Sequence, residues 1–486
     1  MHQMEGSLDR LEIANSLFTT LDAESVVYNH WKSNEHLSAA VRGQTDLDLL
    51  VRSDDRVKFL SIIEKLGFVA MVPAEIRRVP GVESFLGFDE ATGTLLHLDV
   101  HYRLVLGEQL IKNHHLPIEA WLLADSGQLE GVRIPAPSRE FLLLYVRAML
   151  KTTNRQFLRS IVKGGSPLPE RIMVEARWLA AQVDDAKLDE AVTTSGLDLS
   201  TGEVVDFHRR VGSEDIEWRY VRDRKLSLRK RLRKHERLPR YRAVPKRLWL
   251  RFRSTSTAGK LGLGIPKRRL AGVAPLIAAV GADGSGKSRL TKDLERWLAW
   301  KLDVVHVYFG QPKGGLWWRL LSKPGSLARK RGENPGIIGT VAARTDSWKW
   351  LWLANHRRHL SEGAHDDANH GIMVIAERYP LPEFLSMSEP MDGPRLQGSS
   401  SGVARRELDA YGAIDRPDLL IILDTDLKTL RDRKLDLGVE EHTAKVEAVN
   451  ALTAGPGRTV IDAGPPYERV LLEAKTAVWQ VIRETR

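Results

Sequence analysis

The stretch Gly281-Ala-Asp-Gly-Ser-Gly-Lys287-Ser288 limits what this chain can fold into more than any other. It follows a largely apolar run, residues 273–280, that reads as a buried strand. It precedes Leu290, Leu294, Trp297 and Leu298, which recur at helical spacing. Strand, glycine-rich loop and helix, in that order, are the parts of a phosphate-cradling P-loop. The glycines let backbone amides close around a phosphate, and the helix N-terminus adds positive dipole. In such a loop Lys287 reaches the β- and γ-phosphate oxygens and Ser288 ligates magnesium. Gly281, Asp283, Gly284, Ser285, Gly286, Lys287 and Ser288 are therefore the expected ATP-binding residues, with ATP and Mg2+ as cofactors. The alternative is a glycine-rich strand-to-helix turn without a ligand.

At 486 residues the chain has room for two to four domains, and 42% apolar with 28% charged residues suits globular folds. The absence of cysteine excludes disulfides and thiolate metal sites and points to a reducing compartment. The opening MHQMEGSLDR lacks the basic-then-apolar pattern of a secretory signal, and no apolar run reaches 18 residues. A cytoplasmic protein is expected.

The net charge of +10 is concentrated in one place. Between Arg222 and Arg269 stand 19 Lys/Arg against only Asp223 and Glu236, so this window carries +17 and the rest of the chain −7. It contains SLRKRLRKHERLPRYRAVPKRLWLRFR, with Trp249 and Phe252 among the charges, and then the Ser/Thr/Gly-rich STSTAGKLGLG. Two readings stay open. The segment binds anionic lipid, nucleic acid or polyanionic glycan by counterion release, or it is a solvated helix and flexible linker between domains.

Along the chain, residues 1–125 read as an α/β segment, with strands over 47–51 and 95–100 and a helix over 56–66. Residues 126–221 read as packing helices, from the apolar positions Phe141, Leu142, Leu143, Leu144, Val146 and Leu150, then Ile172, Val174, Trp178 and Leu179. Residues 222–270 form the basic connector. In 271–486 strands over 276–280, 304–309, 372–376, 419–423 and 459–461 alternate with helices, as in a doubly wound parallel sheet.

Several features of residues 273–480 follow the order of a nucleoside monophosphate kinase, and the segment resembles the thymidylate kinase family. Asp283 matches that family's P-loop carboxylate, Glu377-Arg378-Tyr379 is similar to its Asp-Arg-Tyr/Phe/His signature, and Arg357 in LANHRRHL stands where it places an acceptor-binding arginine. Residues 417–424 followed by Leu430-Arg-Asp-Arg-Lys434 look like the fourth strand entering a basic lid. Residues 460–463 and then Tyr467-Glu-Arg-Val470 resemble the last strand and the loop bordering adenine. The resemblance implies catalytic roles for Lys287, Glu377, Arg378, Arg431 and Arg433, and acceptor binding by Asp283, Arg357, Arg378 and Arg395. These residue types suit phosphoryl transfer, which asks mainly for positioning and charge neutralisation. Three departures stand out: the signature aspartate is Glu377, Leu353 replaces the aromatic that stacks on thymine, and Met391-Asp-Gly-Pro-Arg395 replaces an Ala-Tyr-Gln element.

Asp46-Leu-Asp48 heads an apolar strand, and side chains two apart share a strand face. With Asp99 in His97-Leu-Asp99-Val-His101, three carboxylates are expected to hold the magnesium ions of nucleotidyl transfer, and no ligand role is assigned to the histidines. The segment over about residues 20–125 resembles the α+β nucleotidyltransferase fold of the DNA polymerase β superfamily. Lys32 and Ser33 stand where that superfamily has a Gly-Ser pair.

The expectation is an ATP- and Mg-dependent phosphotransferase acting on a phosphorylated, dTMP-like acceptor, fused to a nucleotidyltransferase-like domain. Alternatives are a sugar or glycan-precursor kinase coupled to nucleotidyl activation, or a non-catalytic ATP-binding scaffold with a polyanion-binding basic segment. Expected partners are a nucleotide or phosphosugar substrate, an anionic membrane surface or polyanion through residues 222–269, and a second copy of the chain in a homodimer.

Overall fold

The computed structural model describes residues 10–108, 110–213, 216–261, 263–311, 337–381, 383–384, 392–396, 401–426, 430 and 439–485. The chain divides into two compact units, Met1–Lys267 and Arg268–Arg486.

In the first unit the chain runs α1 (Glu12–Ala23), β1 (Tyr28–His30), α2 (Leu37–Val41), β2 (Leu47–Val51), α3 (Arg56–Lys65), β3 (Val69–Val72), β4 (Val82–Asp89) and β5 (Thr94–His101). These strands lie in the order β1-β2-β5-β4-β3, with β2 and β5 parallel and the other pairs antiparallel. The register sets Asp48 opposite Asp99, and Asp99 opposite Ser84 on β4. Helices α1 and α3 cover the sheet through Leu17, Phe18, Leu21, Phe59 and Ile62, all buried. Two hairpins follow, β6 (Leu104–Leu106) with β7 (His114–Leu116) and β8 (Ser126–Leu129) with β9 (Val132–Pro135), with α4 (Glu119–Ala124) between them.

Helices α5 (Pro137–Lys151), α6 (Asn154–Lys163), α7 (Glu170–Ala180), α8 (Asp185–Thr194) and α9 (Thr201–Ser213) build a second core. Every position of α5 from Glu140 to Leu150 is buried, Glu140 and Arg147 among them, bonded to Asn34 and Glu175. The basic stretch does not hang free of this core. In α10 (Trp218–Arg231) Val221 and Leu228, with Leu232 just beyond, form one apolar stripe at helical spacing and pack into it; Lys225 is buried on the same stripe, its ammonium on Thr152 O. Helix α11 (Arg240–Arg253) follows with Pro245 inside it, and the Ser/Thr/Gly-rich piece holds α12 (Ser256–Lys260), N-capped by Thr255.

The second unit starts at β10 (Arg269–Leu270), where the Leu270 amide donates to Gly371 O. It continues through β11 (Leu276–Gly281), α13 (Lys287–Leu298), β12 (Val304–Tyr308), α14 (Ile337–Asn369), β13 (Met373–Glu377), α15 (Gly402–Gly412), β14 (Leu419–Asp424), α16 (Val439–Asn450), β15 (Arg458–Asp462) and α17 (Tyr467–Glu484). Five strands pair in parallel in the order β12-β13-β11-β14-β15. The sheet is the one the apolar runs foretell, because strands covered on both faces read as continuous hydrophobic stretches. The chain leaves β11 for the edge, returns to β13 beside it, then crosses to β14 on its other flank. The C-terminal ends of β11, β13 and β14 therefore meet at a topological switch point, where open α/β sheets bind ligands. Among the described residues no helix is long and apolar enough to cross a membrane.

Candidate functional site

The glycine-rich loop lies where β11 ends and α13 begins. Gly284 and Gly286 take φ of +95° and +97°, a left-handed region that a side chain disfavours. Gly281 is needed for space: a Cβ there would stand 2.6 Å from Ser285 Oγ and 3.0 Å from Leu423 O. Lys287 points inward and is buried, its Nζ donating to Gly281 O at 2.8 Å and Ala282 O at 2.7 Å. Burial pushes its ammonium down to about 8, against the opposing pull of Asp283. Ser288 Oγ donates to Glu377 Oε1 at 2.5 Å, a contact set by the register of Ala279 on β11 with Glu377 on β13. Ser285 Oγ is buried with no hydrogen-bond partner among the described residues. A hydroxyl beside a carboxylate is an oxygen set that suits magnesium, and an unpartnered hydroxyl inside a glycine-rich loop at a helix N-terminus suits a phosphate. The residues present fit a nucleotide phosphate with its metal.

Arg378 follows Glu377 in the left-handed region, at φ +59°. Its Nη2 donates to Asp283 Oδ1 at 2.7 Å and its Nη1 lies 3.6 Å from Asp392 Oδ2. Lys445, from α16, donates to the other Asp283 oxygen at 2.9 Å. Burial would raise the Asp283 carboxyl, but Lys445, Arg378 and Lys287 outweigh it and hold it well below the usual carboxylate range. Asp392 is pushed the other way, because burial outweighs the pull of Arg357 and Arg378.

Lys287, Ser288, Asp283, Glu377 and Arg378 are thus brought together around the loop. Arg357 is buried, with its donors engaged: Nε to Phe309 O at 2.7 Å, Nη1 to Asp392 O and Tyr411 OH, and Nη2 to Asp392 Oδ1 at 2.9 Å. In this arrangement it braces Asp392 and, through Asp392, Arg378. Arg395 is exposed, with its guanidinium 5.7 Å from the Trp350 ring centre and its amide on Glu407. Arg431 and Arg433 lie outside the described residues. Leu353 is buried in the protein interior. At the start of α17, Tyr467 stacks against Arg289, 3.7 Å from guanidinium carbon to ring centre, and its hydroxyl donates to Asp293 at 2.6 Å. Lys445 and Asp392 went unread in the sequence. Asp392 lies within the Met391–Arg395 replacement noted above, but nothing local marks Lys445, which the packing of α16 brings to the loop.

In the first unit Asp48, Asp99 and His101 offer ligand atoms within 4.8 Å of one another. His101 shares a β5 face with Asp99. It is buried, and its Nε2 lies 3.7 Å from Asp99 Oδ2. Ser84 Oγ donates to Asp99 Oδ1 at 2.9 Å. Asp46 stands apart from this group, with its carboxylate 2.8 Å from His97 Nδ1. Lys32 Nζ sits 2.5 Å from Asp48 Oδ1, so a cation of the chain itself neutralises one of the carboxylates. Ser33 adopts φ +58°, and its amide donates to Glu175, which also accepts from Arg147.

A five-stranded parallel sheet carrying a glycine-rich phosphate loop at the end of its central strand is consistent with a P-loop kinase-like fold. No protein-family model matches the chain. Over 227 residues it is 30% identical to a protein of Escherichia coli K12 named "Uncharacterized ATP-binding protein YghS", a match covering 42% of this chain and 92% of that protein. Over 226 residues it is 29% identical to the "Uncharacterized ATP-binding protein YghR" of the same strain, covering 42% and 86%. The chain belongs to the family of YghS. Among solved structures, a thymidylate kinase from Candida albicans aligns at 16% identity over 44% of this chain and 93% of that chain, with a TM-score of 0.29.

Proposed function

We propose that the second unit binds ATP and transfers its γ-phosphoryl group to a phosphorylated acceptor, a nucleoside monophosphate in the first instance. The observation that carries this reading is Arg378, held over the phosphate loop by Asp283 and Asp392 beside the buried Lys287. An acceptor phosphate oxygen attacks the γ-phosphorus and the bond to the β–γ bridging oxygen breaks, leaving ADP. Such a transfer needs little covalent chemistry from the protein, so fixed cations are what the site must supply. Lys287 would exchange its carbonyl partners for donor phosphate oxygens, and Arg378 would hold the acceptor phosphate. Magnesium neutralises phosphate charge when bound, and Ser288 with Glu377 would hold it. Arg289 and Tyr467 would border the adenine. The names of the two E. coli relatives as ATP-binding proteins support the donor half of this reading. The acceptor's base has no evident reader, because Leu353 is buried in the interior, and a phosphosugar acceptor fits the same cations. Arg395, Arg431 and Arg433 complete the proposed acceptor and lid set.

For the first unit the register of Asp48 with Asp99 supports a nucleotidyltransferase-like role with Mg2+ on Asp48 and Asp99, Asp46 being turned to His97. The Lys32 ion pair on Asp48 favours a second reading, a domain that binds nucleotide without turnover. The cysteine-free composition supports a cytoplasmic setting. Anionic membrane or polyanion binding through residues 222–269 and homodimer formation belong to the same proposal. A turnover screen with magnesium-ATP across nucleoside monophosphates and phosphosugars tests the kinase reading. ADP formation dependent on one acceptor and lost in Lys287→Ala supports it. ATP binding without turnover on any acceptor sinks it in favour of the scaffold.

A further inference from the structure

The helical half of the first unit contains a continuous cleft of three lobes, of about 260, 190 and 340 Å3. Thr152, Thr153 and Arg251 line both the first and the second lobe, and Arg229 and Arg247 line both the second and the third. Its walls come from α5, α6, α7, α10 and α11 and from the segment joining β6 to β7, none of which carries Asp48 or Asp99. The lining is strongly cationic. Glu108 borders all three lobes and is already taken by Arg247, whose Nη1 lies 3.0 Å from its carboxylate.

Two of these cations, Lys151 and Arg229, are part-buried, and the third lobe also carries Glu236 beside Arg229. Lys151 closes α5, and burial pushes its ammonium down to about 7, with Arg147, Lys32, Arg171 and Lys112 all pressing the same way. Arg229, on α10, is pushed down chiefly by burial and by Arg247, with Glu236 and Glu108 pulling the other way. Removing cations from water without a counter-charge is costly, and gathering like charges adds to that cost. A polyanion seated in the cleft would offset that cost. At the head of α6 the first lobe is also lined by the Thr153 hydroxyl and the Gln156 side-chain amide, which bond each other in a capping box.

We infer that this cleft is a binding site for a small molecule carrying two or more linked phosphates, seated between Lys151 and Arg229. The span of three narrow lobes suits a phosphate chain better than a single phosphate. The site is independent of the kinase reading, since it uses no residue of the second unit.

Inorganic pyrophosphate is the probe. Calorimetry is performed on the full chain carrying Lys287→Ala, which silences the phosphate loop, with EDTA present so that metal bridging plays no part. The expected result is one pyrophosphate per chain, a raised melting temperature, and affinity about tenfold weaker in Lys151→Gln and in Arg229→Gln, since each removes a charge-assisted hydrogen bond. Arg159→Gln, on the exposed side of α6, removes the same net charge outside the cleft and is expected to bind as the parent does. Absence of both heat and thermal shift overturns the inference even if a variant fails to fold, because that arm uses the parent chain. Equal weakening in Arg159→Gln also overturns it, by showing diffuse charge alone. Phosphatidylserine–phosphatidylcholine vesicles and duplex DNA are added in competition. If either binds without displacing pyrophosphate, and pyrophosphate binding ignores Lys151 and Arg229, the basic helices serve a surface and the inference fails.

Discussion

Arg378 reaches the phosphate loop through Asp283, whose Oδ1 accepts from its Nη2 at 2.7 Å, and it does so from a left-handed backbone at φ +59°. A non-glycine residue in that region costs of order 1 kcal/mol or more and persists where neighbours over-determine it. Here Asp283 and Asp392 are those neighbours. The ion pairs therefore aim the guanidinium as well as neutralise it.

Asp392 is the buried hub of this arrangement, bonded to Arg357 and near Arg378. Asp392→Ala strips both arginines of a carboxylate and is expected to destabilise the second unit by about 3 kcal/mol or more. Urea denaturation followed by circular dichroism reads this directly. An unchanged midpoint would mean the cluster is far wetter than its burial suggests.

Lys287→Ala is expected to lower phosphoryl transfer at least about 100-fold, the scale seen when one preorganised donor to developing charge is removed. A coupled ADP-release assay with a saturating acceptor measures it. Turnover near the wild-type rate would remove the phosphate loop from the mechanism.

The same lysine sets a pH dependence. Burial holds its ammonium near 8 in the free protein, and phosphate oxygens would raise it on binding. ATP affinity is therefore expected to be flat below pH 8, where the group is already charged, and to fall above it by up to about tenfold per unit. Titrations between pH 7 and pH 9.5 decide the matter: affinity that stays level through pH 9 contradicts the placement of Lys287.

Lys32 competes with any divalent ion for Asp48. Lys32→Met is expected to raise Mn2+ affinity at Asp48, Asp99 and His101 by about tenfold, comparable to the loss of one well-placed charge contact. Electron paramagnetic resonance of free Mn2+ gives the binding curve. If Mn2+ binds the parent and the variant alike, Lys32 is not the ion's rival.

Much of the second unit was legible because its central strands β11, β13 and β14 are buried along their length and read as continuous apolar runs. The runs at 276–280, 304–309, 372–376, 419–423 and 459–461 differ from β11 to β15 by no more than two residues at either end. The phosphate loop was legible for a related reason, since its glycines answer to local backbone geometry. The first unit was harder to read. Strands β3 and β4 fill the gap between the two expected strands, and β3 is only four residues long with alternating burial, a weak signal. Asp46 and Asp48 share a strand face by spacing, yet Asp46 turns to His97 and His101 takes its place beside Asp48 and Asp99. Which neighbour a carboxylate meets depends on cross-strand register, and one sequence does not encode that locally. The basic stretch hid its apolar stripe of Val221, Leu228 and Leu232 under a high charge density.

The grip of Lys287 on Gly281 O and Ala282 O means that the loop is held in shape by a group belonging to the site itself. An incoming nucleotide would find the amides already oriented and would only have to win over the ammonium. The entropic cost of ordering those residues then falls largely on folding, and binding exchanges the two carbonyl bonds of the ammonium for phosphate oxygens.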